Sequence, residues 1–472
     1  MQRWGGKMKK NTNHILAGTA LVVMMATSAH AGGFQRGTAD TDILFEKGTF
    51  SQRFGLTYVN PNRGFSSING VDGDYGNYTG IYTIPSAAIA FGNDDFGCAG
   101  TYTIPFAAEA DYDGATGGAL PLQVSSTTST SNTDRLRFAG ASSTSRTVGT
   151  EFSTSEFGAT CRVSYSTGKS RFSFLGGLFV EDFEFNGQSI GARNLNPLFQ
   201  AAAPALVAGL RGAQLTLPTN IDVDSEGDYK VGYRIGFAYE IPEIALRAQV
   251  MYRSEVEHDA IQGTGTVTVS DSAYLTLANG QVASIPTAFG PTVAGALSRA
   301  GLGVGTVLPV TSYLSNSTSP QSLSINLQTG IAEGTLLFGS FRWTDWSANK
   351  SVVSTIKLAD GSISSSYAPY NWDDGYTASI GIGKAFNEQI SGALSFGFDS
   401  GVSTGSETTY TDLYTVSAGI SLKPEKWAEI RFGGLIGYWT SGDQNVSDGA
   451  YFDATVDGNF LYAGNASLKL TF

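Results

Sequence analysis

The chain is poor in the side chains that most site chemistry requires. Among its 472 residues are two cysteines, Cys98 and Cys161, and three histidines, too few soft ligands for a structural zinc site. His14 and His30 lie in a leader-like segment, so His258 is the one histidine expected in the mature chain. A Ser/His/Asp enzyme would have to use it. Gly401-Val402-Ser403-Thr404-Gly405 matches a nucleophile elbow, but no histidine follows it, and that fold needs Ser, then acid, then His. His258, beside Asp259, reads instead as a rim residue at a strand end. Basic excess is also missing: 29 Lys and Arg face 41 Asp and Glu, which argues against nucleic acid as a partner. Beyond the leader no run of about 18 apolar residues occurs, so no transmembrane helix is expected. No Walker loop or zinc helix is present, and Gly301-Leu302-Gly303-Val304-Gly305-Thr306 fails the dinucleotide fingerprint at its third glycine. Asp72-Gly73-Asp74 and Asp94-Asp95 do not continue into a calcium loop and read as solvated turns. No cofactor, metal or catalytic residue is therefore expected.

What is present is glycine, 59 of them, 12% aromatics and only 15% charged residues. That is the composition of tight turns and aromatic strands. The amino end reads as a secretory signal over 1–31. Arg3, Lys7, Lys9 and Lys10 precede an apolar stretch at 15–26, and Ala29-His30-Ala31 offers a small-x-small cleavage site before Gly32. Met8 offers an internal start. Cleavage would take the net charge from −12 to −16, because four positive charges leave.

The carboxyl end carries the clearest pattern. Counting back by twos gives Phe472, Leu470, Leu468, Ala466, Gly464, Tyr462 and Phe460 on one face, and Thr471, Lys469, Ser467, Asn465, Ala463 and Leu461 on the other. An aromatic terminal residue, with Tyr462 about one bilayer height away, is the closing strand expected of an outer-membrane barrel. Similar alternation divides the chain into strands near 50–60, 81–91, 96–107, 148–165, 170–186, 226–240, 244–260, 320–331, 334–348, 371–386, 390–400, 409–422, 427–440 and 459–472. Connections after even strands are tiny and those after odd strands are long, the alternation of periplasmic turns and outer loops. Aromatics near strand ends, among them Trp343, Trp346, Trp372, Trp427 and Trp439, suit a bilayer boundary.

Two loop segments are unexpectedly apolar. Residues 196–210 start with Asn196-Pro197 and space Phe199, Ala202, Leu206 and Leu210 on one helical face; 291–301 is a second short helix ended by glycine. Apolar helices in outer loops must bury each other or hold an apolar ligand.

Tyr58-Val59-Asn60-Pro61, Ile84-Pro85, Tyr252-Arg253-Ser254, Phe341-Arg342-Trp343-Thr344-Asp345-Trp346-Ser347, Trp372-Asp373-Asp374-Gly375-Tyr376, Phe398-Asp399 and the terminal strand resemble the FadL/TodX-type outer-membrane transporters of long-chain fatty acids and other hydrophobic compounds. The Arg-Trp-Thr-Asp-Trp-Ser stretch is the most specific. The resemblance implies an all-β transmembrane antiparallel barrel of about fourteen strands over 49–472, a hatch at 32–48 and a third strand kinked to open the wall; the strand division above is made with that architecture in view. One departure is the hatch sequence Ile43-Leu44-Phe45-Glu46-Lys47-Gly48, which lacks the Asn-Pro-Ala motif usual in the family.

The expected function is uptake of long-chain fatty acids or similar hydrophobic molecules through a Gram-negative outer membrane by passive, ligand-gated diffusion. The alternatives are a general diffusion porin for polar solutes and an outer-membrane lipase. Leu198, Phe199, Leu206, Leu210, Val293 and Leu297 are the candidate capture groove, with Arg193, Arg211 or Arg299 for a ligand carboxylate. Gly97, Gly100 and Pro105 are the candidate lateral gate. Expected partners are a fatty-acid-class ligand, outer-membrane lipid and lipopolysaccharide, and the barrel-assembly machinery, which would read Phe472. Cys98 and Cys161 fall near the periplasmic rim on strands expected to be neighbours, so a disulfide between them is expected.

Overall fold

The computed structural model describes residues 32–118, 120–121, 123–124, 143–196, 199–200, 204–277, 281–359, 361 and 363–472. Fourteen antiparallel strands close into one barrel. In order they are Phe50–Asn60, Tyr82–Gly92, Phe96–Thr103 with Ala107–Asp111, and Ser143–Ser153 with Glu156–Thr167. Ser170–Asn194, Gln214–Ile241, Leu246–Arg253 with Gln262–Val269, and Val307–Leu314 with Ser322–Ala332 follow. The last six are Thr335–Thr344, Gly375–Ala385, Ile390–Asp399, Leu413–Glu425, Ala428–Trp439 and Asn459–Thr471. Closure is direct: the fourteenth strand pairs with the thirteenth on one side and the first on the other. Phe472 seals the seam, its N–H donating to Phe50 O at 2.8 Å while its ring stacks on Trp427.

The burial pattern is inverted relative to a soluble sheet. On the first strand Phe54, Leu56 and Tyr58 face outward and exposed, while Arg53, Gly55 and Thr57 line the interior. The fourteenth strand repeats this, with Phe460, Tyr462 and Leu468 outside and Asn465 and Ser467 inside. Strands paired on both sides form a closed wall whose outer belt is apolar, which is the way strands cross a bilayer. No described helix is long and apolar enough to cross a membrane. The chain is thus a multi-pass outer-membrane barrel.

Several boundaries differ from the expected ones. The fifth and sixth strands run 25 and 28 residues, and stay paired from Arg171↔Glu240 to Asn194↔Thr216. At ~3.3 Å per residue that is roughly 80 Å, far more than a bilayer needs, so both project beyond the membrane. The expected loop at 349–370 contains a hairpin, Ser351–Leu358 with Ile363–Pro369, and the loop at 261–319 carries Gln262–Val269 and Val307–Leu314 as extensions of the wall. The second loop helix is Gly290–Arg299. Of the first, Pro204–Gly209 is helical, and 197–198 and 201–203 lie outside the described residues.

Candidate functional site

Residues 32–46 run inside the barrel. Gln35 N–H turns back to Gly32 O at 3.1 Å, and Gly33, at φ +53°, lies flat on Trp346: a Cβ there would stand 2.7 Å from the indole. Only glycine allows that approach. Arg36 and Gly37 then donate their N–H groups to Pro105 O and Ile104 O, both at 2.8 Å, and Ala107 N–H donates to Phe34 O. The segment thus acts as a short added strand on the third strand's inner side.

The third strand has those carbonyls to give because it breaks there. Its ladder with the second strand ends at Ser86↔Thr103, and pairing with the fourth resumes at Ala107↔Ser153. Pro105 lacks an N–H and cannot continue the ladder, so Ile104 and Pro105 turn toward the lumen. Gly97 and Gly100, expected to share in this break, keep regular pairs with Gly92 and Ile89 on one side and Arg162 and Ala159 on the other. Their lack of a side chain does not interrupt a ladder that needs only backbone. Between them Cys98 stands opposite Cys161 on the fourth strand, and the two form a disulfide.

The segment is anchored at its far end by charge. Asp40 caps the 3-10 turn Thr41–Phe45, accepting from Ile43 N at 3.3 Å, and Ile43 and Leu44 bury against Ala88, Ala90, Ala99 and Leu175. Arg53 bonds Asp40 at 2.5 Å and Glu46 at 2.7 Å; Lys469 bonds Glu46 and Glu429, each at 2.9 Å; Arg247 stands 3.3 Å from Asp42.

Two chambers flank this plug. The upper one, about 160 Å³, is an aromatic cage. Phe34 sits at its centre, with ring centroids 4.5 Å from Phe152, 4.6 Å from Trp372, 5.5 Å from Tyr370 and Tyr410, and 6.0 Å from Trp346, all edge-to-face. Trp372 is held by its Nε1–H donating to Glu407 Oε1 at 3.0 Å. The lower chamber, about 230 Å³, is lined by arginines, serines and Asn326. Beside it Arg253 and Arg234 pair with Glu156, Arg253 also with Glu181, and Glu181 holds His258 Nε2 at 3.1 Å.

These placements correct several expectations. Trp346 and Trp372 are 1% and 0% exposed and Trp439 is also buried, so they face the interior and not the bilayer boundary. Strand alternation did not reveal this because Trp346 opens a 3-10 turn, Trp346–Ala348, that breaks the period. Their appearance in the two tryptophan-containing motifs was the available signal. Phe50, Tyr58, Phe91, Phe96, Tyr165, Phe386 and Trp427 are exposed as a boundary belt requires. His258 is fully buried against Glu181, not at the rim, and Ser403 Oγ donates to Glu407 O, so neither is arranged as a nucleophile or its base. Asp74 accepts from Gly76 N in a turn, and Asp94 stands 3.5 Å from Arg171.

The loop residues chosen for a groove come together, but around each other. Phe199, Leu206, Leu210, Val293 and Leu297 bury in one cluster with Leu195, Leu215, Leu217 and Leu275. Leu198 lies outside the described residues. Arg211 and Arg299 are exposed, and Arg193 sits opposite Leu217 in the fifth–sixth ladder.

No protein-family model matches the chain, and no curated protein matches it in sequence. Solved structures do match in fold. A Pseudomonas aeruginosa FadL homologue superposes with a TM-score of 0.59 at 13% identity, over 94% of this chain and 98% of its own. The toluene transporter TodX of P. putida gives 0.56 at 13% identity over 91% and 92%. The toluene transporter TbuX of Ralstonia pickettii gives 0.54 at 13% over 90% and 90%. The chain is a plugged fourteen-stranded outer-membrane barrel. More narrowly, its fold is that of the FadL-type channels.

Proposed function

We propose that this barrel takes up hydrophobic small molecules across the outer membrane by passive diffusion, with the aromatic cage as its binding site and residues 32–46 as a ligand-displaced gate. One observation carries the reading: the cage is built around a phenyl ring, that of Phe34, which belongs to the plug itself. A ligand ring that replaces Phe34 recovers the same edge-to-face contacts, each worth about 0.5–1.5 kcal/mol beyond area burial. Displacement also frees the plug from Ile104 and Pro105, uncovering the break in the third strand as a sideways exit into the bilayer. An apolar cavity of about 150 Å³ holds one benzene ring. The upper chamber therefore accepts a single ring or a chain end as it stands, and a long-chain fatty acid only once Phe34 has left.

The loop cluster around Phe199 and Leu206 is the proposed point of first capture, opening its mutual packing to an alkyl chain that gains roughly 0.8 kcal/mol per methylene. Outer-membrane lipid, lipopolysaccharide at the long outer loops and assembly factors reading Phe472 are the proposed partners. The test is tryptophan fluorescence of the purified barrel titrated with toluene and with oleate. Saturable quenching that Trp372→Ala weakens by about thirtyfold, the effect of losing one large aromatic contact surface, is expected. Steady ion conductance in a planar bilayer with no quenching would make the barrel a porin instead.

A further inference from the structure

The upper chamber holds a second side chain of the plug besides Phe34, and that side chain is a cation. Arg36 is 8% exposed, and its guanidinium lies 4.3 Å from the ring centroid of Tyr82. Its Nη1 donates to Gln35 O at 3.1 Å, its Nε is buried without a hydrogen-bond partner, and among the described residues no carboxylate pairs with it. A guanidinium withdrawn from water is unfavourable unless something answers its charge. Here the electron-rich face of Tyr82 does so. The chamber therefore already stabilises a ring and a cation, both supplied by residues 32–46.

The rest of the chamber favours the same sign. Of the described residues that line it, Arg36 is the single cation, and Glu109 and Glu407 are the acids. Glu407 is engaged: it accepts from Trp372 Nε1 and Thr409 N, and the charge of Arg63 reaches it. Glu109 is exposed, stands directly opposite Glu151 where the third and fourth strands pair, and has no cationic partner among the described residues. When the plug withdraws, Arg36 leaves with Phe34. What remains is a set of aromatic faces under negative charge, which attracts a positive amphiphile and repels an anionic one.

We propose that the upper chamber selects aromatic ammonium compounds over neutral hydrocarbons of the same shape, the ligand's ring and cation taking the places of Phe34 and Arg36. The inference rests on the cage reading, and the experiment separates the two. Purified barrel in non-ionic detergent is titrated, by quenching of its tryptophan fluorescence, with phenyltrimethylammonium, with the uncharged isostere tert-butylbenzene and with tetramethylammonium, each at its free aqueous concentration. Wild type binds the phenyl cation about tenfold tighter than the isostere, the effect expected of one desolvated cation–aromatic contact, and tetramethylammonium far more weakly. Tyr82→Leu brings that preference below about threefold, and Tyr82→Phe, which keeps the ring face, restores it. Glu109→Gln, an exposed change that serves should the leucine variant not assemble, lowers the preference by about twofold at low salt. Equal binding of cation and isostere by wild type, or an unchanged preference in both Tyr82→Leu and Glu109→Gln, overturns the inference while leaving the cage in place. Tetramethylammonium binding as tightly as the phenyl cation makes the chamber a simple-cation site and overturns it too. Absence of binding by both phenyl compounds overturns the cage reading and the inference together.

Discussion

Phe34 of the plug and Trp372 at the head of the tenth strand meet with ring centroids 4.6 Å apart and planes at 61°, in the middle of a transmembrane barrel. On the proposed reading, the phenyl ring of Phe34 occupies the place a hydrophobic ligand would take. Phe34→Ala should empty the cage and loosen the plug by about 3 kcal/mol, the usual cost of deleting a buried phenyl ring. Ring ligands should then bind more tightly, since nothing need be displaced, and uptake of toluene should lose its saturation. Tighter toluene binding by calorimetry checks this; weaker binding would mean that Phe34 helps to hold the ligand.

The outer half of the plug is held by rings and the inner half by ions. Arg53 joins Asp40 and Glu46, all three largely buried, so Arg53→Met leaves two carboxylates without that partner. Removing one partner of a buried ion pair costs about 3 kcal/mol. Amide exchange of Ile43 and Leu44, read by mass spectrometry, should accelerate by about a hundredfold as the 3-10 turn lets go. Unchanged exchange would place the anchor in Lys469 and Arg247 alone.

How much of this was legible follows from the environment of each residue. Within the bilayer, outside must be apolar, so Phe54, Leu56 and Tyr58 declared their face and the wall could be read. Above the bilayer that constraint ends. Gln188 is exposed opposite Asp222, and residues 187–194 and 214–225 read as loop although they continue the fifth and sixth strands. The cage was hidden for a different reason: a tryptophan near a strand end gives the same signal whether it faces lipid or lumen.

The loop that supports the cage has its own acid–base behaviour. Burial pushes the Glu407 carboxyl above the usual glutamate range, opposed in part by hydrogen bonds from Thr409 N and Trp372 Nε1. Because the folded state holds that proton more firmly than the unfolded one, stability falls as pH rises from the ordinary glutamate value through the raised one, and the full penalty applies above it. Glu407→Gln keeps an oxygen for Trp372 and removes the penalty. The variant should melt at a higher temperature than wild type near pH 8, and the difference should vanish near pH 4. A difference independent of pH would assign the effect to packing.

Gly37 and Gly100 offer the sharpest comparison between closed and open forms. A Cβ on Gly37 would stand 2.1 Å from Thr103 Oγ1 and 2.8 Å from Ile104 O; one on Gly100 meets nothing within 4 Å. Thr103 can rotate away, but the Ile104 carbonyl is the acceptor for Gly37 N–H itself and cannot yield without breaking that bond. Gly37→Ala should therefore detach the plug from the third strand, losing the two hydrogen bonds of Arg36 and Gly37 at about 0.5–1.5 kcal/mol each. Gly100→Ala should leave the barrel unaltered, although both changes add a single methyl group beside the same strand. Planar-bilayer recording is the measurement: brief openings absent from wild type and from Gly100→Ala should appear in Gly37→Ala. Silence in all three would mean that the plug stays seated without its pairing to Ile104 and Pro105, and the ionic anchor at Arg53 would then be the gate's main restraint.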